Sequence, residues 1–146
     1  MGELWVLFEG EVIEFVCNYL AEHDFEIIQK LSTKEQGDDI IALKSGMRLI
    51  IEAKGESSSN KNSSRYGQPF TYNQVKTHVG VALYKILEIL TREMNDGNVV
   101  AVGIALPNNE NHRKCIAKIL LAIKPLNIVL FWVNEDGRVD VEGNLI

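Results

Sequence analysis

The sequence predicts an α/β protein in which helices cover both faces of one mixed central sheet. Apolar residues with helical spacing alternate along the chain with short runs rich in β-branched residues. Two of these runs flank a tight turn, while later runs are separated by helices, so antiparallel and parallel pairing should mix. The predicted core has the order αβββαβ. With 146 residues, 46% hydrophobic and 24% charged, residues 1–146 should form a single globular domain.

The first helix is expected over about residues 6 to 22. At about 100° per residue its apolar side chains form one stripe, which consists of Phe8, Val12, Ile13, Val16, Tyr19 and Leu20. Glu9 falls within that stripe, whereas Glu14 points well away from it. The helix should be followed by a strand from Phe25 to Leu31.

The next two strands carry the most informative pattern of the chain. They are joined by a tight turn at Lys44 to Met47. Counting outward from this turn places Asp39 opposite Glu52, and Lys54 shares their face of the sheet. The flanking runs are apolar on both faces, which is typical of central strands, where an unpaired charge is costly. The two acids are therefore expected to hold a hard cation such as Mg²⁺ between them, with the ammonium group of Lys54 nearby.

The alternative for these charged residues is a solvated hairpin. In that case Glu52 and Lys54 form an exposed ion pair that contributes almost nothing to stability.

Residues 55–70 are predicted to form a flexible Ser-rich loop, because they are rich in Ser, Asn and Gly. The loop is either a passive insertion or a lid that orders on substrate. It leaves directly from Lys54 and contains Lys61, Arg65 and Tyr66, which favours contact with substrate.

A long helix is predicted from Thr71 to about Glu93. Beside its buried stripe, polar residues line up within about 40° on one face, namely Gln74, His78, Lys85 and Arg92. This row is suited to follow a phosphate backbone. Thr71 and Gln74 also have the spacing of a capping box, in which Gln74 binds the Thr71 amide instead.

The remaining elements complete the sheet and its second helical layer. They are a strand from Asn98 to Leu106, a helix from Asn111 to Lys124, a strand from Asn127 to Val133, and a turn at Asp136-Gly137 that leads into an edge strand ending near Val141.

The net charge of -5 is unusual for a nucleic-acid-binding protein, since Lys and Arg make the phosphate contacts. Residues 53–92, however, contain six Lys and Arg residues against two Glu. This basic segment directly follows the acidic pair, where a nucleic-acid backbone would have to lie. The residues expected to contact it are Gln74, His78, Lys85, Arg65, Lys61 and Lys76.

Other site classes have no support in the sequence. Cys17 and Cys115 lie far apart within helical patterns and are expected to be reduced core residues. No apolar stretch approaches the ~20 residues of a membrane span, and the N-terminus lacks the basic start of a secretory signal. We therefore expect a cytoplasmic protein with no membrane partner.

The pattern G-x-D, apolar strand, turn and E-x-K, formed by Gly37, Asp39, Glu52 and Lys54, resembles the PD-(D/E)XK nuclease superfamily. This is the fold of many restriction endonucleases, Holliday-junction resolvases and repair nucleases. One departure is Asp38, which stands where the superfamily name has Pro. The αβββαβ order is also the restriction-endonuclease-like core that this superfamily uses.

The resemblance implies a metal-dependent endodeoxyribonuclease that hydrolyses DNA phosphodiester bonds, in restriction or repair, with Mg²⁺ or its substitute Mn²⁺. Asp39, Glu52 and the Ala53 carbonyl would bind the metal, and Lys54 would position the attacking water. Glu9 would complete the catalytic site from the first helix, with Glu14 as the alternative. Glu9 is equally explained as an acid favoured by the helix dipole.

Two other functions remain open from the sequence. The domain could be a non-catalytic nucleic-acid or protein-binding module of a restriction, repair or mobile-element system, with a protein partner that supplies DNA affinity. It could also be a structural domain that forms a homodimer through the edge at Val139 to Val141. A homodimer would suit a nuclease as well, because two DNA strands need two sites.

Overall fold

The computed structural model describes residues 6–31, 36–58, 61–64 and 66–145. The helices are α1 (Glu9–Glu22), α2 (Tyr72–Asn95), α3 (Glu110–Ala117) and α4 (Leu120–Ile123), which leads into a 3₁₀ turn at Lys124–Leu126. The strands are β1 (Glu26–Lys30), β2 (Ile40–Lys44), β3 (Met47–Ala53), β4 (Val100–Pro107), β5 (Val129–Val133) and β6 (Val139–Glu142).

The six strands form one mixed sheet whose spatial order is the chain order. β3, β4 and β5 run parallel to one another, and the other neighbouring pairs are antiparallel. The α/β class and the mixed sheet are therefore confirmed, including the hairpin of β5 and β6. That this fold is a restriction-endonuclease-like core stays a prediction.

A tight turn sets the register of β2 against β3. Ser45 and Gly46 have φ angles of 51° and 79°, as both central residues of a type I′ turn do. Leu43 consequently pairs with Arg48, as predicted from the sequence. Because pairing register sets the face of every side chain, this turn decides which residues meet at the far end of the two strands.

Helices cover both faces of the sheet. α1 packs on one face against a buried cluster that includes Ile51 and Ala53, and α2 and α3 pack on the other against Ile50 and Ile104. Neighbouring residues Ile50 and Ile51 are both fully buried, on opposite faces. β3 is thus a doubly covered central strand, as its continuous apolar sequence predicted.

The predicted helix from Asn111 to Lys124 was wrong in its continuity. α3 ends at Ala117, Ile119 adopts φ -122° and ψ 0°, and α4 follows as a separate short turn. Pro125 then stands in the 3₁₀ turn, where its missing N–H removes a donor that a continuing α-helix would need.

Both cysteines are buried and free, as expected of reduced core residues, and burial raises the pKa of Cys17 to about 11. Across the described residues, no helix combines the length and apolar character that crossing a membrane requires.

Candidate metal and catalytic site

Asp39 and Glu52 meet at the end of β2 and β3 that lies away from the turn. Ile40 pairs with Ile51, so Asp39, which directly precedes β2, stands opposite Glu52 as predicted. The Asp39 carboxylate crosses to the neighbouring strand, where its Oδ2 atom accepts a hydrogen bond from the Ala53 amide at 2.8 Å. This bond directs the Asp39 carboxylate toward the C-terminal end of β3.

The Glu52 carboxyl group is held in an environment that disfavours its charge. Burial raises the pKa of Glu52 to about 8, together with the charge of Asp39 and a hydrogen bond to the Asp39 carboxylate. The charges of Lys54 and Lys85 oppose this rise. Without a cation, the Glu52 carboxyl group is therefore mostly protonated at neutral pH.

One oxygen of Glu52 has no hydrogen-bond partner within the described part of the chain. This atom, Oε2, is buried. A buried polar atom without a partner costs free energy and calls for a ligand or water that satisfies it.

Glu9 approaches the same site from the start of α1. Burial raises the pKa of Glu9, the charge of Asp39 adds to the rise, and the charge of Lys54 opposes it. Glu14 lies elsewhere, because its carboxylate forms an exposed ion pair with Lys30 at 2.8 Å. Of the two helix carboxylates considered from the sequence, Glu9 is the one whose pKa responds to the charges of Asp39 and Lys54.

Residues that directly follow Lys54 hold the start of α1 in place. A Cβ atom at Gly55 would lie 2.5 Å from the Glu9 amide nitrogen, so only glycine permits this approach of backbone to backbone. Glu56 accepts a hydrogen bond from the Leu7 amide at 2.7 Å through Oε1. Its own amide donates to the Leu7 carbonyl at 2.8 Å. These contacts fix the position from which Glu9 enters the site.

Glu56 is also linked to α3 through Asn109. Asn109 Nδ2 donates to Glu56 Oε2 at 2.6 Å, while its Oδ1 accepts from the His112 amide at 2.9 Å. These two bonds fix the orientation of the Asn109 amide. Its Oδ1 also lies 2.8 Å from His112 Nδ1, so that ring nitrogen must carry the proton.

His112 is fully buried, and its Nε2 has no hydrogen-bond partner among the described residues. Burial lowers the pKa of His112 to about 4, and the charge of His78 lowers it further. The ring is therefore neutral at pH 7.

Sequence reasoning missed Glu56, Asn109 and His112. Glu56 lies in a segment whose polar composition predicts a loop, yet it and Ser57 are only 7% and 4% exposed. No local pattern distinguishes this buried acid from a solvated one.

α2 brings Lys85 near Glu52 and His78 near Lys54. The charge of Lys85 acts on Glu52. The His78 ring stacks on Phe70 with centroids 4.5 Å apart. Burial lowers the pKa of His78, and the charge of Lys54 lowers it further.

The capping box at the start of α2 is confirmed. The Thr71 amide donates to Gln74 Oε1 at 2.8 Å, and the Gln74 amide donates to Thr71 Oγ1 at 3.3 Å. A contact of Gln74 with nucleic acid stays a prediction.

The other predicted nucleic-acid contacts lie in the loop, on another side of α2, or outside the described residues. Lys61 is exposed in the loop, and Lys76 lies on the opposite flank of α2 from His78, since two residues turn a helix by about 200°. Arg65 lies outside the described residues. Tyr66 of the same loop stacks on Phe8 with centroids 5.3 Å apart.

Asp38 and Asp39 are adjacent in sequence but serve different contacts. Asp38 is buried and forms an ion pair with Arg92 at 3.0 Å. Arg92 was expected in the phosphate-facing row, yet it also contacts Glu93 at 3.3 Å. Hydrogen bonds from Asn98 and Arg48 lower the pKa of Glu93 to about 2. Asp38 thus belongs to an ion-pair network, which leaves Asp39 to the site.

The acidic pair fits a cation that needs few protein ligands. Within the described ranges, no group of three or more His, Cys, Asp and Glu side chains is arranged to hold a metal ion. Mg²⁺ commonly binds through one or two carboxylates and completes its shell with water and phosphate oxygens. Asp39 and Glu52, with the unpartnered Oε2 atom, meet that smaller requirement.

The chain matches no family model, no curated protein sequence and no solved structure in three comparisons with known proteins. The functional proposal therefore depends on the geometry of the candidate site and on the sequence pattern.

Proposed function

We propose that the protein is a Mg²⁺-dependent endodeoxyribonuclease of the PD-(D/E)XK type. The observation that carries the proposal is the meeting of Asp39 and Glu52 at the end of two central strands, beside Lys54. Paired acids in a partly buried site are unfavourable in the free protein and are expected where a cation binds. The order of helices and strands supports the same assignment.

In this proposal, Asp39, Glu52 and the Ala53 carbonyl hold Mg²⁺ or Mn²⁺. When bound, the ion would polarise a phosphoryl oxygen and stabilise charge on the leaving group. Lys54 holds the attacking water in line, and its ammonium group offsets the negative charge that develops at the phosphate. Glu9 accepts a hydrogen bond from a water molecule at the same site.

The substrate strand would lie along the start of α2. Lys85 and His78 would steady the phosphate next to the cleaved bond, with Gln74 at the edge of the site. Lys61 and Arg65 would approach from the loop. We further propose a cytoplasmic location and cleavage of both DNA strands by a homodimer, as the sequence suggested.

The test is a cleavage assay with purified protein. Supercoiled, linear, branched and single-stranded DNA are incubated with Mg²⁺ or Mn²⁺, and at least one substrate should be cut. Asp39→Ala and Lys54→Ala should each lower the rate by ~10²-fold or more. Glu88→Ala, at an exposed position of α2, is the control and should cut at the wild-type rate. Undiminished cutting by both site variants, or no cutting of any substrate, would reject the proposal.

A second candidate is a binding module that does not turn over substrate. The net charge of -5 suggests that a partner protein would supply part of its DNA affinity, and the described residues contain no three-ligand cluster that would require a metal. Calorimetry separates the two functions. DNA binding without any uptake of Mg²⁺ or Mn²⁺ would favour the module, and uptake that Asp39→Ala abolishes would favour the nuclease.

A further inference from the structure

Two lysines at the end of α3 lie over one aromatic ring where α2 and α3 pack together, and a third lysine stands one turn further along α2. We call Tyr72, Lys76, Lys114 and Lys118 the Tyr72 cluster. The Nζ atoms of Lys114 and Lys118 each lie 4.9 Å from the Tyr72 ring centroid. Lys76 follows Tyr72 by one turn of α2, so both residues share a helix face.

A buried thiol beside the cluster places Lys76 near Lys118. Burial raises the pKa of Cys115, and the charges of Lys118 and Lys76 both oppose that rise. The charges of both ammonium groups therefore act on the same thiol. The ring contacts of Lys114 and Lys118 and the position of Lys76 one helical turn after Tyr72 place the three lysines where α2 and α3 meet.

The cluster has no acidic partner within the part of the chain that the structure describes. Its lysines are exposed, and none of the ion pairs found among the described residues includes them. By contrast, the adjacent Arg113 approaches Glu142 at 3.8 Å. In a chain with a net charge of -5, three grouped cations without a counter-ion mark a local excess of positive charge.

The start of α2 adds to this positive potential. Its first turn contains no acidic residue, so no side chain there offsets the positive end of the helix dipole. Cation–π contacts at exposed sites contribute only about 0.5–1 kcal/mol each, and neighbouring ammonium groups repel one another. A polyanion bound across this surface would relieve that repulsion.

We propose that the Tyr72 cluster binds backbone phosphates of DNA on the flank of α2 opposite the acidic pair. DNA as the occupant rests on the proposed function. His78 and the cluster lie on opposite sides of the first two turns of α2, and a helix with its side chains is about 10–12 Å wide. That width corresponds to about three nucleotides at 3.4 Å per nucleotide. One strand that crosses the start of α2 reaches both surfaces.

The contact is independent of base sequence. Lysine binds phosphate as a point charge and carries no direct information about bases. Two ammonium groups already contact the Tyr72 ring, so the ring holds cations in place and is not a platform for stacked bases. The competing explanation is that the cation–π contacts only stabilise the packing of α2 on α3.

The salt dependence of DNA binding tests the inference. Fluorescence anisotropy with a labelled duplex, in Ca²⁺ to prevent cleavage, gives Kd over a series of salt concentrations. Each lost phosphate contact reduces the slope of log Kd against log salt by about 0.9. Lys114→Gln/Lys118→Gln should therefore lower the slope by about 2, and addition of Lys76→Gln should lower it by about one more.

Two further variants make the experiment specific. Lys44→Gln is the matched control, because Lys44 also contacts an aromatic ring, 5.2 Å from the Phe25 centroid, but lies at the opposite end of β2 from Asp39. It should leave the slope unchanged. Lys114→Arg/Lys118→Arg keeps both charges and should bind DNA with the wild-type slope, which separates charge from loss of fold.

The outcomes distinguish this inference from the proposed function. An unchanged slope in the double Gln variant, or an equal loss with Lys44→Gln, would overturn the inference even if the wild-type protein cuts DNA. A slope reduced only by the cluster variants would support it even if no substrate is cut. In a protein that does cut, the double Gln variant should raise KM and leave kcat at saturating DNA unchanged.

Discussion

The Glu52 carboxyl group lies beside that of Asp39 and forms a hydrogen bond with it. Burial and the neighbouring charge raise the pKa of Glu52 from 4.5 to about 8. A folded protein with such an acid binds a proton more tightly than its unfolded chain does. The contribution of Glu52 to stability is therefore complete below about pH 4.5 and is lost as the pH rises through about 8.

Replacement of this acid by its neutral analogue should stabilise the protein at high pH. In metal-free buffer at pH 9, we expect Glu52→Gln to raise the free energy of unfolding by about 2 kcal/mol, after allowance for solvent screening. The corresponding rise in Tm is roughly 5 °C, and little difference should remain at pH 4. Thermal unfolding in EDTA measures both. Glu22→Gln, at an exposed end of α1, is the control. A lower Tm for Glu52→Gln at pH 9 would show that the ionised Glu52 carboxylate does not destabilise the folded protein.

Binding of a divalent cation should displace the proton of the Glu52 carboxyl group. At pH 7 we expect Mn²⁺ to release about one proton per site, because Glu52 is protonated in the free protein and must ionise to bind. Calorimetry in buffers of different ionisation enthalpy gives this number. The number of protons released should fall toward zero above pH 9, where Glu52 is already ionised in the free protein. Binding without release at pH 7 would mean that the ion does not bind at Glu52.

The hydrogen bond between Asn109 and Glu56 should be restored when the donor and the acceptor are exchanged between the two residues. Glu56→Gln sets an amide donor against Asn109 Nδ2, so we expect a loss of about 1–3 kcal/mol in stability and ~10-fold slower cleavage as Glu9 loses its support. Adding Asn109→Asp supplies a carboxylate that accepts from the new amide and still accepts from His112. The double variant should recover both properties. A double variant no better than Glu56→Gln would contradict this assignment.

Substitution of Asp38 should lower mainly the stability of the protein, and substitution of Asp39 mainly its cleavage activity. Asp38→Asn weakens the ion pair with Arg92 and should cost about 1–3 kcal/mol of stability, while DNA cleavage continues. Asp39→Asn removes negative charge beside Glu52 and should keep or raise stability in EDTA, while cleavage falls by ~10²-fold. Chemical unfolding and the cleavage assay give both quantities. If Asp38→Asn instead abolished cleavage and Asp39→Asn only lowered stability, Asp38 would be the residue of the site.

The register of β2 and β3 could be predicted from the sequence for a physical reason. A two-residue turn and continuous apolar flanks leave one pairing, and strand alternation then decides that Asp39, rather than Asp38, shares a face with Glu52. A shift of one residue would have exchanged their roles. The pattern thus contained the central pair of the candidate site.

The supporting contacts could not be predicted in the same way. Glu56 binds Leu7 and Asn109, which lie 49 and 53 residues away in sequence, and the Tyr72 cluster exists only because α3 packs beside α2. Such contacts depend on how helices and loops pack in three dimensions, which local spacing does not encode. The break after Ala117 also escaped the apolar pattern, because its residues keep a helical spacing.

A crystal soaked in Mn²⁺ tests the central claim most directly. The account predicts one strong anomalous peak between the Asp39 and Glu52 carboxylates, within coordinating distance of Oε2 of Glu52, with Glu9 on its far side. No peak at that position at millimolar Mn²⁺, with the Lys54 ammonium group lying between the two acids, would contradict it.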